Sequence, residues 1–155
     1  MREMTACFTG HRSVPLMQRA GIRKKLEKTV RELIAQGYRY FGAGGALGFD
    51  TMAADVILRL RNEFPDIKLI LVLPCKTQAD RWSEKDRKIY EKQKAAADKV
   101  IYVSEAYYNG CMLVRNRRLV DNSSVCVAYL THAGGGTAYT VRYAEKSGVP
   151  VISIA

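Results

Sequence analysis

The sequence predicts an α/β fold of the Rossmann-like, doubly wound type, with a mainly parallel sheet of about six strands and helices on both faces. Short apolar runs alternate with longer segments of helical spacing along the 155 residues. Glycine-rich segments occur in the loops after two of the apolar runs. One run, Ile67 to Leu73, is almost wholly apolar, which is typical of a strand covered by helices on both faces.

The first half of the chain is predicted to contain three strands and two helices. The strands are Thr5 to Thr9, Tyr38 to Ala43 and Ile67 to Leu73, and the helices are Leu16 to Gln36 and Asp50 to about Asn62. Gly37 marks the end of the first helix. We expect Pro74 to end the third strand, and we expect that strand to lie at the centre of the sheet.

The second half continues the alternation with three helices and three strands. The helices are Ser83 to Ala97, Cys111 to Asp121 and Thr137 to Lys146, and the strands are Lys99 to Val103, Ser124 to Tyr129 and Val151 to Ile154. Parallel strands joined by right-handed crossovers place every strand-to-helix loop at one edge of the sheet, where such folds bind ligands.

Composition narrows the class of protein further. No linker, repeat or low-complexity segment divides the sequence, so residues 1–155 are expected to form a single domain. No apolar stretch is long enough to span a membrane, and the first residues lack the apolar core of a secretion signal, which predicts a cytoplasmic protein. Lys and Arg outnumber Asp and Glu by 25 to 15, and this net charge of +10 favours anionic partners.

Four cysteines are present, but none has the spacing of a metal site, and we predict neither a metal nor a cofactor. Cys7 and Cys126 lie in apolar runs and are expected to be buried. Cys75 and Cys111 lie beside predicted loops, where they could be more exposed.

Two glycine-rich segments are the strongest candidates for a binding site. Gly44-Gly45-Ala46-Leu47-Gly48-Phe49-Asp50 would place free N–H groups at the start of a helix, where a phosphate is stabilised. A tight turn with Asp50 as the helix cap explains it about as well. Gly134-Gly135-Gly136-Thr137 repeats the arrangement, with Thr137 able to cap the helix and to offer a hydroxyl group to a phosphate.

Other polar residues occur at the same predicted edge. Among Arg115, Asn116, Arg117 and Arg118, at least one guanidinium should face the loops, because successive helical residues point about 100° apart. His11 and Arg12 follow Gly10 at the end of the first strand, although a lone histidine more often satisfies a loop hydrogen bond. Trp82 could stack on a base or anchor its loop against a neighbouring helix.

At these residues the sequence resembles a known family. The segments CFTGHR, GGALGFD, LPCKTQADRW, CMLVRNRRLVD and GGGTAYTVRYA, in this order, are similar to the YpsA-like branch of the SLOG superfamily, which includes DprA and the Lonely Guy phosphoribohydrolases. The resemblance implies a Rossmann-like fold, often dimeric, with a nucleotide or phosphate site. Residues that match the motifs, and are therefore implied to bind the ligand, are Gly45, Gly48, Asp50, Arg115, Arg117, Gly135, Gly136 and Thr137.

Three functions follow from these observations. The first is binding or sensing of a nucleotide or nucleotide-derived phosphorylated ligand. The second is hydrolysis of a nucleoside monophosphate, as in the Lonely Guy enzymes; however, Thr140 stands where their glutamate would fall, so Asp50, Glu105 or Asp121 would have to replace it. The third, implied by the resemblance to DprA and favoured by the basic charge, is binding of single-stranded nucleic acid.

Overall fold

A computed structural model describes residues 1–155 and contains one six-stranded sheet. Strands and helices alternate along the whole chain, as the sequence predicts. The strands are β1 (Thr5–Gly10), β2 (Tyr40–Ala43), β3 (Lys68–Cys75), β4 (Lys99–Ser104), β5 (Val125–Tyr129) and β6 (Val151–Ser153). The helices are α1 (Arg19–Ala35), α2 (Phe49–Leu60), α3 (Glu84–Ala96), α4 (Cys111–Asp121) and α5 (Gly135–Lys146).

All neighbouring strands are parallel, and their order is β4-β3-β2-β1-β5-β6. The chain therefore extends from β1 to β4 in one direction and then crosses back to place β5 on the other side of β1. Helices α1, α2 and α3 pack together on one face, and α4 and α5 pack together on the other. The predicted Rossmann-like fold class is confirmed.

Apolar side chains explain how the layers pack. Helix α1 buries one stripe of residues spaced three or four apart, Ile22, Leu26, Val30, Leu33 and Ile34. Helix α3 is far more polar and buries only Tyr90 and Gln93, so it covers the sheet less deeply. Its start is fixed by Ser83, whose Oγ accepts a hydrogen bond of 3.1 Å from the Asp86 N–H.

Two predictions about β3 were wrong. Pro74 lies within the strand, which ends at Cys75. Pairing with β2 stops at Leu71, so at Pro74 the strand has a neighbour on one side only. The strand also lies second from the edge of the sheet, and β1 and β2 occupy the centre. Its apolar composition arises because α2 packs on one face and α4 on the other.

The cysteines give one confirmed prediction and one correction. Cys7 and Cys126 are buried and lie opposite each other on β1 and β5. Cys75 and Cys111, expected to be more exposed, are also buried. Their positions beside loops misled the prediction, because Cys75 is the last residue of β3 and Cys111 is the first residue of α4, and both ends are buried. No helix in the structure has the length and apolar character needed to cross a membrane.

Candidate functional site

A cleft of about 790 Å³ opens at the carboxyl ends of β1 and β5. The chain reverses its direction across the sheet between these strands, and ligands of doubly wound proteins bind at such a reversal. The cleft is lined by Phe8, Thr9, Gly10, His11, Arg12, Ser13, Pro15, Gln18, Ala46, Asp50, Met112, Leu113, Arg115, Asn116, Tyr129, Thr131, His132, Gly136 and Thr137.

One side of the cleft is the first glycine-rich loop, residues 44–48, and the start of α2. Gly48 has a φ of +77°, and a Cβ atom there would collide with the backbone carbonyl of Arg12. The Phe49 N–H donates to the carbonyl of His11 at 3.1 Å, and the Ala46 N–H donates to Asp50 Oδ2 at 3.2 Å. These N–H groups are therefore used within the chain.

Asp50 lies in the first turn of α2 but is not its cap, which is Gly48. Its carboxylate is turned back toward Ala46 and is only 6% exposed. Burial raises the pKa of this carboxyl to about 6, although Arg115, the Ala46 N–H and Arg12 act in the opposite direction. The Oδ1 atom is buried without a hydrogen-bond partner, even though Asp50 lines the cleft. An unpaired buried oxygen of this kind is costly unless a ligand satisfies it.

Arg115 on α4 holds the first loop from the other face of the sheet. Its side chain is buried, and its Nη1 donates to the carbonyl of Gly44. Its Nε donates to Asn116 Oδ1 at 2.6 Å. Burial lowers the pKa of this guanidinium, while the nearby Asp50 carboxylate raises it. Arg115 is thus a structural cation beneath the cleft as well as part of its lining.

The second glycine-rich loop, residues 134–136, forms another side of the cleft and is open. Helix α5 begins at Gly135 after Gly134, and no side chain caps it. A Cβ atom on Gly134 or Gly135 would meet nothing within 4 Å. The N–H groups in the first turn of a helix have no partners within it, so here they can receive an anion.

The side chains of Thr137 and Asn116 lie beside the uncapped start of α5. Thr137 is not the helix cap, as was predicted, but the third residue of α5, where it is buried and lines the cleft. The predicted cap position is moved because the helix starts two residues earlier, at Gly135. Asn116 lies opposite, and its Nδ2 is 3.8 Å from the position that a Cβ atom on Gly136 would take. Its Oδ1 is held by Arg115, so the amide presents N–H donors toward the second loop.

His11, Arg12 and His132 lie at the mouth of the cleft. The two imidazole rings stack with centroids 4.0 Å apart and planes inclined by 8°. The Thr131 N–H donates to His11 Nε2 at 2.9 Å, and burial, followed by the neighbouring His132, lowers the pKa of His11. Because Nε2 accepts this hydrogen bond, it carries no proton in this arrangement. Arg12 is exposed, lies 3.4 Å from the Met112 sulfur and forms no ion pair.

The structure brings eight of the predicted site residues into the cleft: Gly10, His11, Arg12, Asp50, Arg115, Asn116, Gly136 and Thr137. The other four glycines do not line the cleft: Gly44, Gly45 and Gly48 are packed within the first loop, and Gly135 is exposed at the start of α5. Arg117 lies outside, where its Nη1 donates to the Tyr139 hydroxyl at 2.9 Å and links α4 to α5.

Sequence reasoning missed several lining residues, among them Thr131, His132 and Met112. The position of His132 in the loop after β5 was a usable signal. It could not be interpreted without knowing that β5 pairs with β1, which brings the loops after these strands together.

The carboxylates considered for hydrolysis lie in different places. Glu105 is exposed and pairs with Lys76 at 3.0 Å, and Asp121 accepts a hydrogen bond of 2.7 Å from Tyr143 at the far end of α4. Neither lines the cleft, so Asp50 is the only one of the three candidates that does. The Thr140 hydroxyl donates to the carbonyl of Gly136 at 2.8 Å. His, Cys, Asp and Glu side chains form no group of three suited to a metal ion.

Comparison with known families gives a match over most of the chain. The family model YpsA, described as the YspA SLOG family, covers residues 6–149. A UPF0398 protein of Halalkalibacterium halodurans is 32% identical over 128 residues, which span 81% of this chain and 68% of the relative. A UPF0398 protein of Bacillus velezensis is 26% identical over 140 residues, spanning 86% and 77% of the two chains.

Solved structures of DNA processing protein A have the same fold. The Helicobacter pylori protein, studied for its single-stranded DNA binding mode, matches with a TM-score of 0.69 and 22% identity. The match covers 98% of this chain and 65% of that protein. The Streptococcus pneumoniae protein matches with a TM-score of 0.73 and 16% identity, over 97% of this chain and 50% of that one. This chain thus spans two thirds or less of these two proteins.

Proposed function

The chain belongs to the YspA SLOG family, and from this membership and the geometry of the cleft we propose that it binds a nucleotide or nucleotide-derived phosphorylated ligand. The observation that carries the proposal is the unpaired Asp50 Oδ1 in a cleft whose other side is the uncapped start of α5. The two features favour different groups on a ligand, a hydrogen-bond donor at Asp50 and an anion at the start of α5.

The start of α5 attracts an anion through its N–H groups and the positive end of the helix dipole. Arg12, exposed and without an ion pair, adds a positive charge at the mouth. Asp50 repels an anion and requires a hydrogen-bond donor. A ligand that carries a phosphate at one end and hydroxyl or amino groups at the other satisfies both sides, whereas a simple inorganic anion satisfies only one.

Single-stranded nucleic acid is a second candidate. It is favoured by the fold shared with the Helicobacter pylori DNA processing protein A and by the net charge of +10. A strand would present both phosphates and sugars to the cleft. Hydrolysis of a nucleoside monophosphate would depend on Asp50, the one candidate carboxylate in the cleft.

Thermal unfolding against a ligand panel tests the proposal. The panel contains AMP, ADP, ATP, GMP, NAD, ADP-ribose, cyclic nucleotides and a short single-stranded oligonucleotide. A ligand at about 100 times its dissociation constant adds roughly 2.7 kcal/mol, which raises the melting temperature of a domain this size by several degrees. We expect a nucleotide to produce this shift.

Two arginine variants make the test specific to the cleft. Arg12→Ala removes the free cation at its mouth and should weaken binding about tenfold, as expected for a hydrogen bond between charged groups. Arg117→Ala removes an arginine outside the cleft and should leave affinity unchanged. A shift caused only by the oligonucleotide would favour the nucleic-acid function, and no shift with any ligand would count against the proposal.

A further inference from the structure

A second cavity of about 510 Å³ lies beside the cleft, and Met112 lines both. Its other lining residues come from the end of β3, from the loop after it and from the loop before α4. They are Cys75, Thr77, Gln78, Asp80, Arg81, Trp82 and Tyr107. The first of these loops contains the tryptophan whose role the sequence left open, and the proposed function so far makes no use of it.

Gln78 supplies a polar group that the protein leaves unsatisfied. Its Oε1 accepts a hydrogen bond of 3.1 Å from the Tyr90 hydroxyl, which fixes the amide in the loop. Burial raises the pKa of Tyr90, so its hydroxyl remains a donor. The Nε2 atom of Gln78 is buried without any partner. The molecule has only two such buried side-chain atoms, and each belongs to a residue lining one of the two adjoining cavities.

Two aromatic side chains, Trp82 and Tyr107, line the second cavity. Trp82 is half-buried, with its ring 5.1 Å from that of Tyr90 at an angle of 76°, so it is anchored by an edge contact. Tyr107 is 61% exposed on the opposite loop. Aromatic rings at an accessible surface are favourable stacking partners for nucleic-acid bases, and an amide N–H can donate to the acceptors on a base edge.

We propose that the second cavity receives the base of the same ligand, so that a nucleoside phosphate lies extended across Met112. Its phosphate binds at the start of α5, its sugar hydroxyls lie toward Asp50, and its base contacts Trp82 and accepts a hydrogen bond from Gln78 Nε2. This inference rests on the proposed function and assigns the ligand class more narrowly, as one that must contain a planar heterocycle. A sugar phosphate would fill only the first cleft.

Trp82 is the only tryptophan in the chain, so its fluorescence reports directly on the second cavity. The probes are AMP, GMP and ADP-ribose, with ribose 5-phosphate as the matched ligand that has a phosphate and a sugar but no base. We expect at least one nucleotide to change the tryptophan emission and to bind about tenfold more tightly than ribose 5-phosphate. Ribose 5-phosphate should raise the melting temperature without changing the emission.

Two variants test whether the base of the ligand binds in the second cavity. Trp82→Leu should weaken nucleotide binding about tenfold, and Gln78→Met, which removes the N–H donor at nearly constant length, should weaken it about fivefold. Neither should change the affinity for ribose 5-phosphate. Lys85→Ala, at an exposed position on α3, serves as the control variant, and circular dichroism with thermal melting shows whether each variant is folded.

The outcomes separate the inference from the function on which it rests. If nucleotides bind in an Arg12-dependent way but leave the emission and the Trp82 and Gln78 variants unaffected, the base lies elsewhere and this inference is overturned, while the proposed function stands. If no probe binds the parent protein, both are overturned. Loss of ribose 5-phosphate binding in folded Gln78→Met protein would also contradict the proposal that the sugar phosphate and the base bind in different cavities.

Discussion

The two glycine-rich loops have similar sequences and occupy equivalent positions, each between a strand and a helix, but their surroundings differ. In the first loop the chain itself fills the space: Gly44 contacts Arg115, Gly48 contacts the backbone of Arg12, and the Ala46 N–H is held by Asp50. In the second loop Gly134 and Gly135 face open space, and α5 has no side-chain cap. A glycine-rich composition therefore allows close packing in one loop and leaves the start of a helix open in the other.

In the first loop, the Asp50 carboxylate occupies the region where a phosphate was expected to bind. The Asp50 carboxylate accepts the Ala46 N–H near the start of α2, a region that would otherwise attract a phosphate. Its negative charge disfavours an anion there, whereas the first turn of α5 in the second loop contains no acidic residue. In the proposed function, this difference would let one cleft distinguish the two ends of the ligand.

The largest expected effect comes from adding one methyl group to each loop. Gly48→Ala places a Cβ atom against the Arg12 carbonyl at a φ of +77° and should cost about 4 kcal/mol of unfolding free energy. Gly135→Ala has a φ of +79° but no neighbour, and should cost about 1 kcal/mol. Urea denaturation measures both values. Equal losses would show that the first loop is not closed by packing.

The buried carboxylate of the first loop should make stability depend on pH. Because burial raises the Asp50 pKa from 3.8 to about 6, the folded protein loses this proton at higher pH than the unfolded chain. Unfolding free energy should therefore fall as pH rises from about 3 to about 7, by about 3 kcal/mol in total. Asp50→Asn removes this contribution.

Denaturation of both proteins at pH 4 and pH 7 checks the prediction, since other groups, including His11, contribute equally to the two. The stability difference between parent and variant should change by about 2 kcal/mol between these values. A constant difference would mean that the Asp50 carboxyl is not buried as the structure shows.

The smallest effect concerns the open loop. Thr137→Val removes a hydroxyl group that lines the cleft while keeping the side-chain shape, and should weaken nucleotide binding about fivefold with little change in melting temperature. Thr137→Ser keeps the hydroxyl and is the matched control. Titration of the ligand that gives the largest melting shift measures the affinities. Equal affinity of the valine variant and the parent would remove Thr137 from the site.

Much of the fold could be predicted from local patterns. The spacing of Ile22, Leu26 and Val30 predicts α1, and the apolar run from Ile67 predicts β3, because burial of these side chains follows the periods of a helix and a strand. The position of β3 within the sheet was predicted wrongly. An apolar strand shows that both its faces are covered, but not how many strands lie on either side of it.

The candidate site likewise has some features that could be predicted from the sequence and others that could not. By itself the sequence determined that two glycine-rich loops, an arginine-containing helix and His11 meet at one edge of a parallel sheet, since parallel strands bring their carboxyl ends together. Only the tertiary structure decided that Arg115 turns inward while Arg117 turns outward, that His132 stacks on His11, and that one loop is closed and the other open. These properties depend on pairing between β1 and β5 and on contacts between residues distant in the chain, which local sequence patterns do not contain.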